Sequence, residues 1–332
     1  MNIAPWLWLV TVAVLVAILA IDILIIGRRP HEPSMRESAL WISFYVSLAV
    51  LFGIGVLIFS GPQFAGEFYA GWITEYSLSV DNLFVFLVIL TRFGVPRKYQ
   101  QTALLIGIIL ALIMRAVFIA VGAAAINAFA WVFYIFGAIL IYTAIQFVRN
   151  SEQEDSEYKE NALIRWAKNN LPATDTYNGV KLTIVENGKR LVTPMLLVMI
   201  ALGTTDLLFA LDSIPAIYGL TKEPYLVFTA NVFALMGLRQ LYFLLGGLIT
   251  RLVYLSAGLA VILGFIGVKL ILHALHENNL PFINGGEPLK GVPDIGITFS
   301  LTVIIGTLVV TTVASLLKSR RTQKDEQPAK TH

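Results

Sequence analysis

The sequence predicts an all-α, polytopic membrane protein of about nine transmembrane helices, and three observations carry that prediction. Of the 332 residues, 57% are hydrophobic and 14% charged, with a mean hydropathy of +0.76. Soluble domains run nearer half apolar and a quarter charged. The apolar residues also fall in blocks of about 20, the length needed to cross a hydrocarbon core about 30 Å thick. Third, Lys and Arg gather in alternate connections between those blocks, as membrane topology requires.

Taken in order, the blocks and their breakers place spans at 5–26, 40–60, 69–91, 101–124, 127–149, 194–219, 226–248, 252–275 and 296–317. The first carries Asp22, lacks a basic leader and a small-residue cleavage site, and is followed by Arg28-Arg29. It therefore reads as a retained helix and not a signal peptide. The organisation that follows is two N-terminal helices (1–62), a three-helix unit (69–149), a loop (150–193), a second three-helix unit (194–275), an outer loop with a last helix (276–317) and a disordered tail (318–332). Of the 24 basic residues, 19 fall in connections on one side, including Arg28, Arg29, Arg36, Arg92, Arg97, Lys98, Arg251 and the tail from Lys318. The opposite side holds Lys222 and Lys290. The positive-inside rule gives an N-terminus outside and a C-terminus in the cytoplasm. The same distribution accounts for the net charge of +3 without a nucleic-acid partner. Within the inner loop, Glu152, Glu154, Asp155 and Glu157 form a solvated run, and TYNGVKLTIVENGKRLVTP alternates around Asn-Gly turns in the manner of a short hairpin.

Two segments repeat. Thr74-Glu75 is followed after five residues by Asp81-Asn82, and Thr205-Asp206 after five residues by Asp212-Ser213. Downstream, ALIMR ending at Arg115 resembles LMGLR ending at Arg239. A three-helix unit repeated once enters the bilayer from opposite sides, which is the inverted-repeat plan of secondary transporters with substrate bound near the midplane.

The acids in these segments need compensation. An Asp at a helix centre costs about 2.5–3.5 kcal/mol on insertion scales, so four carboxylates would cost on the order of 10 kcal/mol if left unpaired in lipid. At 100° per residue, Glu75, Ser79 and Asn82 share one helix face, and Asp206 shares a face with Ser213. The lining is oxygen-rich and sulfur-free, which suits Mn²⁺, Ca²⁺ or Mg²⁺. Asp81, Asp212, Glu75, Asp206, Asn82 and Ser213 are thus the candidate ligands of a divalent cation. Arg115, Arg239, Lys269 and Asp22 are the candidates for charge balance or proton coupling. The plainer alternative makes Arg115 and Arg239 structural ion-pair partners, but four carboxylates plus Asp22 outnumber the basic groups within the spans. Pro215 is expected to break its helix just past Asp212 and free backbone carbonyls. His273, His276 and Glu277 at the end of a span are a weaker, interfacial cluster.

Cysteine is absent, which excludes disulfides, thiolate sites and Cys-based catalysis. No P-loop is present, so ATP-driven pumping by this chain is not expected. Neither an enzymatic activity nor a permanently bound cofactor is indicated. The expected partners are the lipid bilayer, a divalent cation and protons. A different class of function, a membrane scaffold or assembly factor working through the 150–193 loop, would leave the buried acids without a role.

At these residues the sequence resembles the TerC family: GWITEYSLSVDNLFVFLVI around Asp81, TTDLLFALDSIPAIYGLT around Asp212, ANVFALMGLRQLYFLL around Arg239 and FIGVKLIL around Lys269. The resemblance runs from Asp22 to the last span. It implies a bacterial plasma-membrane protein, links to manganese efflux, tellurite resistance, pH response or redox modulation, and a site on the third and sixth helices at Glu75, Asp81, Asp206 and Asp212. It also implies a Glu three residues before Asp206, where this chain has Gly203.

Overall fold

The computed structural model describes residues 4–28, 34–129, 131–150, 172, 174, 176–186, 189–245, 254–278, 280–281, 283–289, 291–293 and 295–325. The side chains of Asp22 and Asp81, and the acidic run at 152–157, lie outside what is described. The helices are α1 (Pro5–Arg28), α2 (Met35–Ser60), α3 (Pro62–Arg92), α4 (Arg97–Ala128) and α5 (Val132–Asn150), then α6 (Pro194–Tyr218), α7 (Pro224–Met236), α8 (Leu238–Leu245), α9 (Leu255–His276) and α10 (Ile297–Asp325). Among the described residues, eight helical stretches are long and apolar enough to cross a membrane, and α1 adds the shorter apolar stretch Pro5–Ile18.

Local chemistry sets the boundaries. Ser34 caps α2 by accepting from the Glu37 N–H at 3.2 Å. Helices α3, α6 and α7 each begin with proline, whose missing N–H is no loss in a first turn. Gly94, at φ +62°, ends α3 in a left-handed turn that returns the chain into α4. Between α5 and α6, strands β1 (Thr183–Glu186) and β2 (Lys189–Val192) pair antiparallel, with Glu186 opposite Lys189. The Tyr177 hydroxyl ties this hairpin to the end of α3 by donating to the Phe93 carbonyl at 2.6 Å.

Three sequence expectations change. Pro215 does not break α6; it lies in the last turn, and the helix runs on to Tyr218. Proline's lack of an N–H still leaves the Leu211 carbonyl without its usual helical donor. The break occurs instead at Gly237, which splits the span expected at 226–248 into α7 and α8, two residues before Arg239. Helix α10 continues to Asp325, into the stretch read as a disordered tail. There Lys318 places its ammonium 5.1 Å from the Tyr254 ring centre, and basic residues suit a helix C-terminus.

Packing follows definite pairs: α3 lies against α7, α4 against α6, and α5 against α9, with α3 also touching α6 and α4 touching α7. Helix α2 covers α3 and α8, and α10 covers α9 and α3. The α5–α9 pair is the tightest approach. A Cβ on Gly137 would stand 2.8 Å from the Gly267 carbonyl oxygen, and one on Gly267 would stand 3.0 Å from that of Gly137. Apolar side chains point outward over much of the surface, among them Leu9, Phe59, Val121 and Val310, as lipid contact requires.

Candidate functional site

The interior holds a charged centre built from four helices. Arg115 of α4 is 1% exposed, and its Nη1 pairs with Glu75 Oε1 of α3. Its Nη2 lies 3.3 Å from Asp206 Oδ1 and its Nε 3.5 Å from Asp206 Oδ2, on α6. Its Nη1 also donates to Asn231 Oδ1 of α7 at 2.8 Å. Asn231 is held in turn by its Nδ2 donating to the Val227 carbonyl at 3.1 Å. One guanidinium therefore serves two carboxylates, and Glu75 Oε2 accepts no hydrogen bond. Two acids of corresponding place in the repeated motif meet on a single arginine.

Asp212 is placed differently. Six residues past Asp206 it lies about 240° around α6 and about 9 Å further along it, and so faces α5 and not α4. It is half-buried, and Thr143 of α5 donates a hydroxyl hydrogen bond to its Oδ1 at 2.7 Å. Among the described residues no basic group is ion-paired with it. Beside it, Ser213 is 1% exposed and its Oγ has no hydrogen-bond partner. On α3, Asn82 is 6% exposed.

The remaining basic candidates separate. Arg239 is buried at the start of α8. Lys269 of α9 faces the last helix, its Nζ donating to Ser300 Oγ at 3.2 Å. The interfacial cluster is organised by a lysine: Lys222 Nζ reaches Glu277 at 2.9 and 3.1 Å, and His273 Nε2 stands 3.5 Å from the same carboxylate. Burial pushes the Glu277 carboxyl up, but the Lys222 hydrogen bond and the charges of His273, Lys222 and His276 prevail and hold it below its ordinary 4.5. Among the described residues, no three His, Cys, Asp or Glu side chains stand together as a ready-made metal cage. Any cation held here takes one or two carboxylates and completes its shell with hydroxyl, amide and carbonyl oxygen or water, as hard cations do.

Three contributors were not anticipated. Thr143 and Asn231 are neutral residues in apolar runs, and only their three-dimensional neighbours give them a role. Glu67 is 9% exposed near the start of α3, accepting from Thr221 Oγ1 at 2.6 Å and Gln63 Nε2 at 3.1 Å. An acid one turn into a helix that begins with proline was the available signal. At Gly203, a Cβ would meet Leu110 Cδ2 at 2.6 Å, so this chain's α4–α6 contact has closed over the position where the resemblance implies a Glu.

Long apolar helices around a buried charged centre define a multi-pass integral membrane protein. The chain belongs to the TerC family: residues 60–323 match the profile described as "Integral membrane protein TerC family". It is 50% identical over 323 residues to an uncharacterized membrane protein of Mycobacterium tuberculosis (strain ATCC 25618 / H37Rv), covering 96% of this chain and 81% of that one. It is 38% identical over 326 residues to an uncharacterized membrane protein of Myxococcus xanthus, covering 98% and 97%. It is 36% identical over 330 residues, covering 96% and 97%, to an Escherichia coli (strain K12) protein named "Putative membrane-bound redox modulator Alx". No solved structure matches the chain.

Proposed function

We propose that this protein is a secondary transporter of the bacterial plasma membrane that exports a divalent cation, Mn²⁺, in exchange for protons, with its N-terminus outside and its C-terminus in the cytoplasm. The observation that carries the proposal is Asp212: a half-buried carboxylate in a membrane-spanning helix, held by the neutral Thr143 hydroxyl. Leaving a carboxylate charged there without a cation costs several kcal/mol. Arg115 cannot relieve it, being already engaged by Glu75 and Asp206. Asp212, with Ser213 beside it and Asp81 and Asn82 as the matching pair on α3, is assigned to the cation; the two acids on Arg115 are assigned to charge balance and proton exchange.

The packing supports an inverted repeat. Exchanging α3 with α6, α4 with α7–α8 and α5 with α9 turns the α3–α7 contact into the α6–α4 contact and returns α5–α9 to itself. The preference for Mn²⁺ over Ca²⁺ or Mg²⁺ comes from family membership, since oxygen ligands suit all three. The name of the Escherichia coli relative points to redox modulation; this chain has no cysteine to carry thiol chemistry, and metal supply is the route to such an effect that its residues favour.

The test is Mn²⁺ flux in proteoliposomes under an imposed proton gradient, wild type beside Asp212→Asn. The expected outcome is flux in the wild type that the variant loses. Equal flux in both removes Asp212 from the pathway, and no flux in either folded protein replaces the transporter with the scaffold reading.

A further inference from the structure

We propose that Gln240 and Ser79 are neutral oxygen ligands that receive the same hard divalent cation between α3 and α8, an inference that rests on the transport reading above. Gln240 is 2% exposed, and neither its Oε1 nor its Nε2 has a hydrogen-bond partner. Ser79 is fully buried and its Oγ is equally without one. Native interiors satisfy nearly all such groups, and the exceptions call for an explanation such as ligand handling.

Two close approaches set the register of the helices that carry them. A Cβ on Gly71 of α3 would stand 3.6 Å from Ala230 Cβ of α7, and one on Gly237 would stand 3.9 Å from the Tyr76 hydroxyl. The numbering rises along both helices, so α3 and α7–α8 run side by side in the same direction. Counted from Gly71 and Ala230, Ser79 comes level with Leu238; counted from the Tyr76 hydroxyl and Gly237 it comes level with Gln240, so Ser79 and Gln240 lie within about one helical turn of the same height. Helices α3 and α8 touch directly here, and Leu83 shares a core cluster with Leu238 and Leu241.

The level is chemically apt. Ser79 lies on α3 between Glu75 and the Asp81-Asn82 pair, and Glu75, Ser79 and Asn82 share a helix face. Gln240 brings an amide oxygen to that height from the neighbouring helix. Amide and hydroxyl oxygens suit a hard, partly hydrated cation. They bear no charge, so they hold it loosely enough to pass it on, which conduction between successive sites requires. A Gln at this position thereby sets how readily the cation reaches the acids, a specificity role distinct from theirs.

The test is Mn²⁺ binding to the detergent-solubilised full chain, followed by the loss of free-ion electron paramagnetic resonance signal, with thermal unfolding measured in parallel. Gln240→Leu is expected to weaken Mn²⁺ about tenfold while unfolding at the same temperature or higher, since removing an unsatisfied amide relieves the fold. Gln240→Glu, which keeps the size and adds a charge, is expected to tighten binding and covers the case in which the leucine variant fails to fold. Ser79→Ala is expected to weaken it by a smaller factor. Wild-type affinity in Gln240→Leu or Gln240→Glu, beside lost binding in Asp212→Asn, overturns this inference and leaves the transport reading standing. A wild-type chain that binds no Mn²⁺ overturns both.

Discussion

Asp206 and Asp212 stand on the same helix, yet the protein treats them oppositely. Asp206 is 2% exposed and shares Arg115 with Glu75, with Asn231 completing the donor's shell. Asp212 faces another helix, is half-buried, and is held by one hydroxyl group. A carboxylate paired with a guanidinium in a dry interior already has its charge balanced. A carboxylate met by a hydroxyl keeps its charge available to something that arrives. The comparison teaches that a buried acid is informative only together with its partner.

The sharpest way to break this contrast is at Arg115. Arg115→Met leaves Glu75 and Asp206 buried beside each other without a cation, and is expected to cost about 3–5 kcal/mol of stability, read from thermal or denaturant unfolding in detergent. A loss below 1 kcal/mol would mean that the two acids are not held ionised by this arginine. Next comes Asp212→Asn, expected to lower Mn²⁺ flux about 100-fold, equivalent to about 2.7 kcal/mol, with little change in unfolding temperature. If Asp212→Asn instead unfolds the protein while Asp206→Asn spares it, the two roles are exchanged. Thr143→Val removes the hydroxyl on Asp212 and is expected to cost about 1.5 kcal/mol, or tenfold in cation affinity, as loss of a hydrogen bond to a charged group does. Smallest is Glu277→Gln at the exposed Lys222 pair, worth under about 1 kcal/mol. Because Glu277 is held below its ordinary 4.5, its contribution is present at neutral pH and fades as pH falls through the lowered value. The variant should therefore lose up to about 1 kcal/mol at pH 7 to 8 and show a flatter acid limb of the stability profile.

The helices were legible in sequence because membrane thickness demands long apolar blocks, and most predicted spans fall within a few residues of the observed helices. Arg115 stood out in the sequence because charge in an apolar run is conspicuous. The identity of its two carboxylates was not legible, because pairing between helices depends on rotation and height, which no single segment encodes. Pro215 misled: the chemistry of its missing N–H is real, but in a last turn it costs a bond without deflecting the helix. Gly237 went unnoticed as a break because glycine inside an apolar block reads as a packing residue. Thr143 and Asn231 carry no signal in sequence at all, since each is an ordinary polar residue until a neighbour is known.

The crossing of α5 and α9 at Gly137 and Gly267 has a mechanical meaning. Each glycine lies against the other's carbonyl oxygen with no room for a methyl group, so neither helix can slide along its partner without driving a side chain into backbone. The contact therefore fixes the height of one helix against the other. Alanine at either glycine has to force the two helices apart, and is expected to cost about 1–3 kcal/mol of stability.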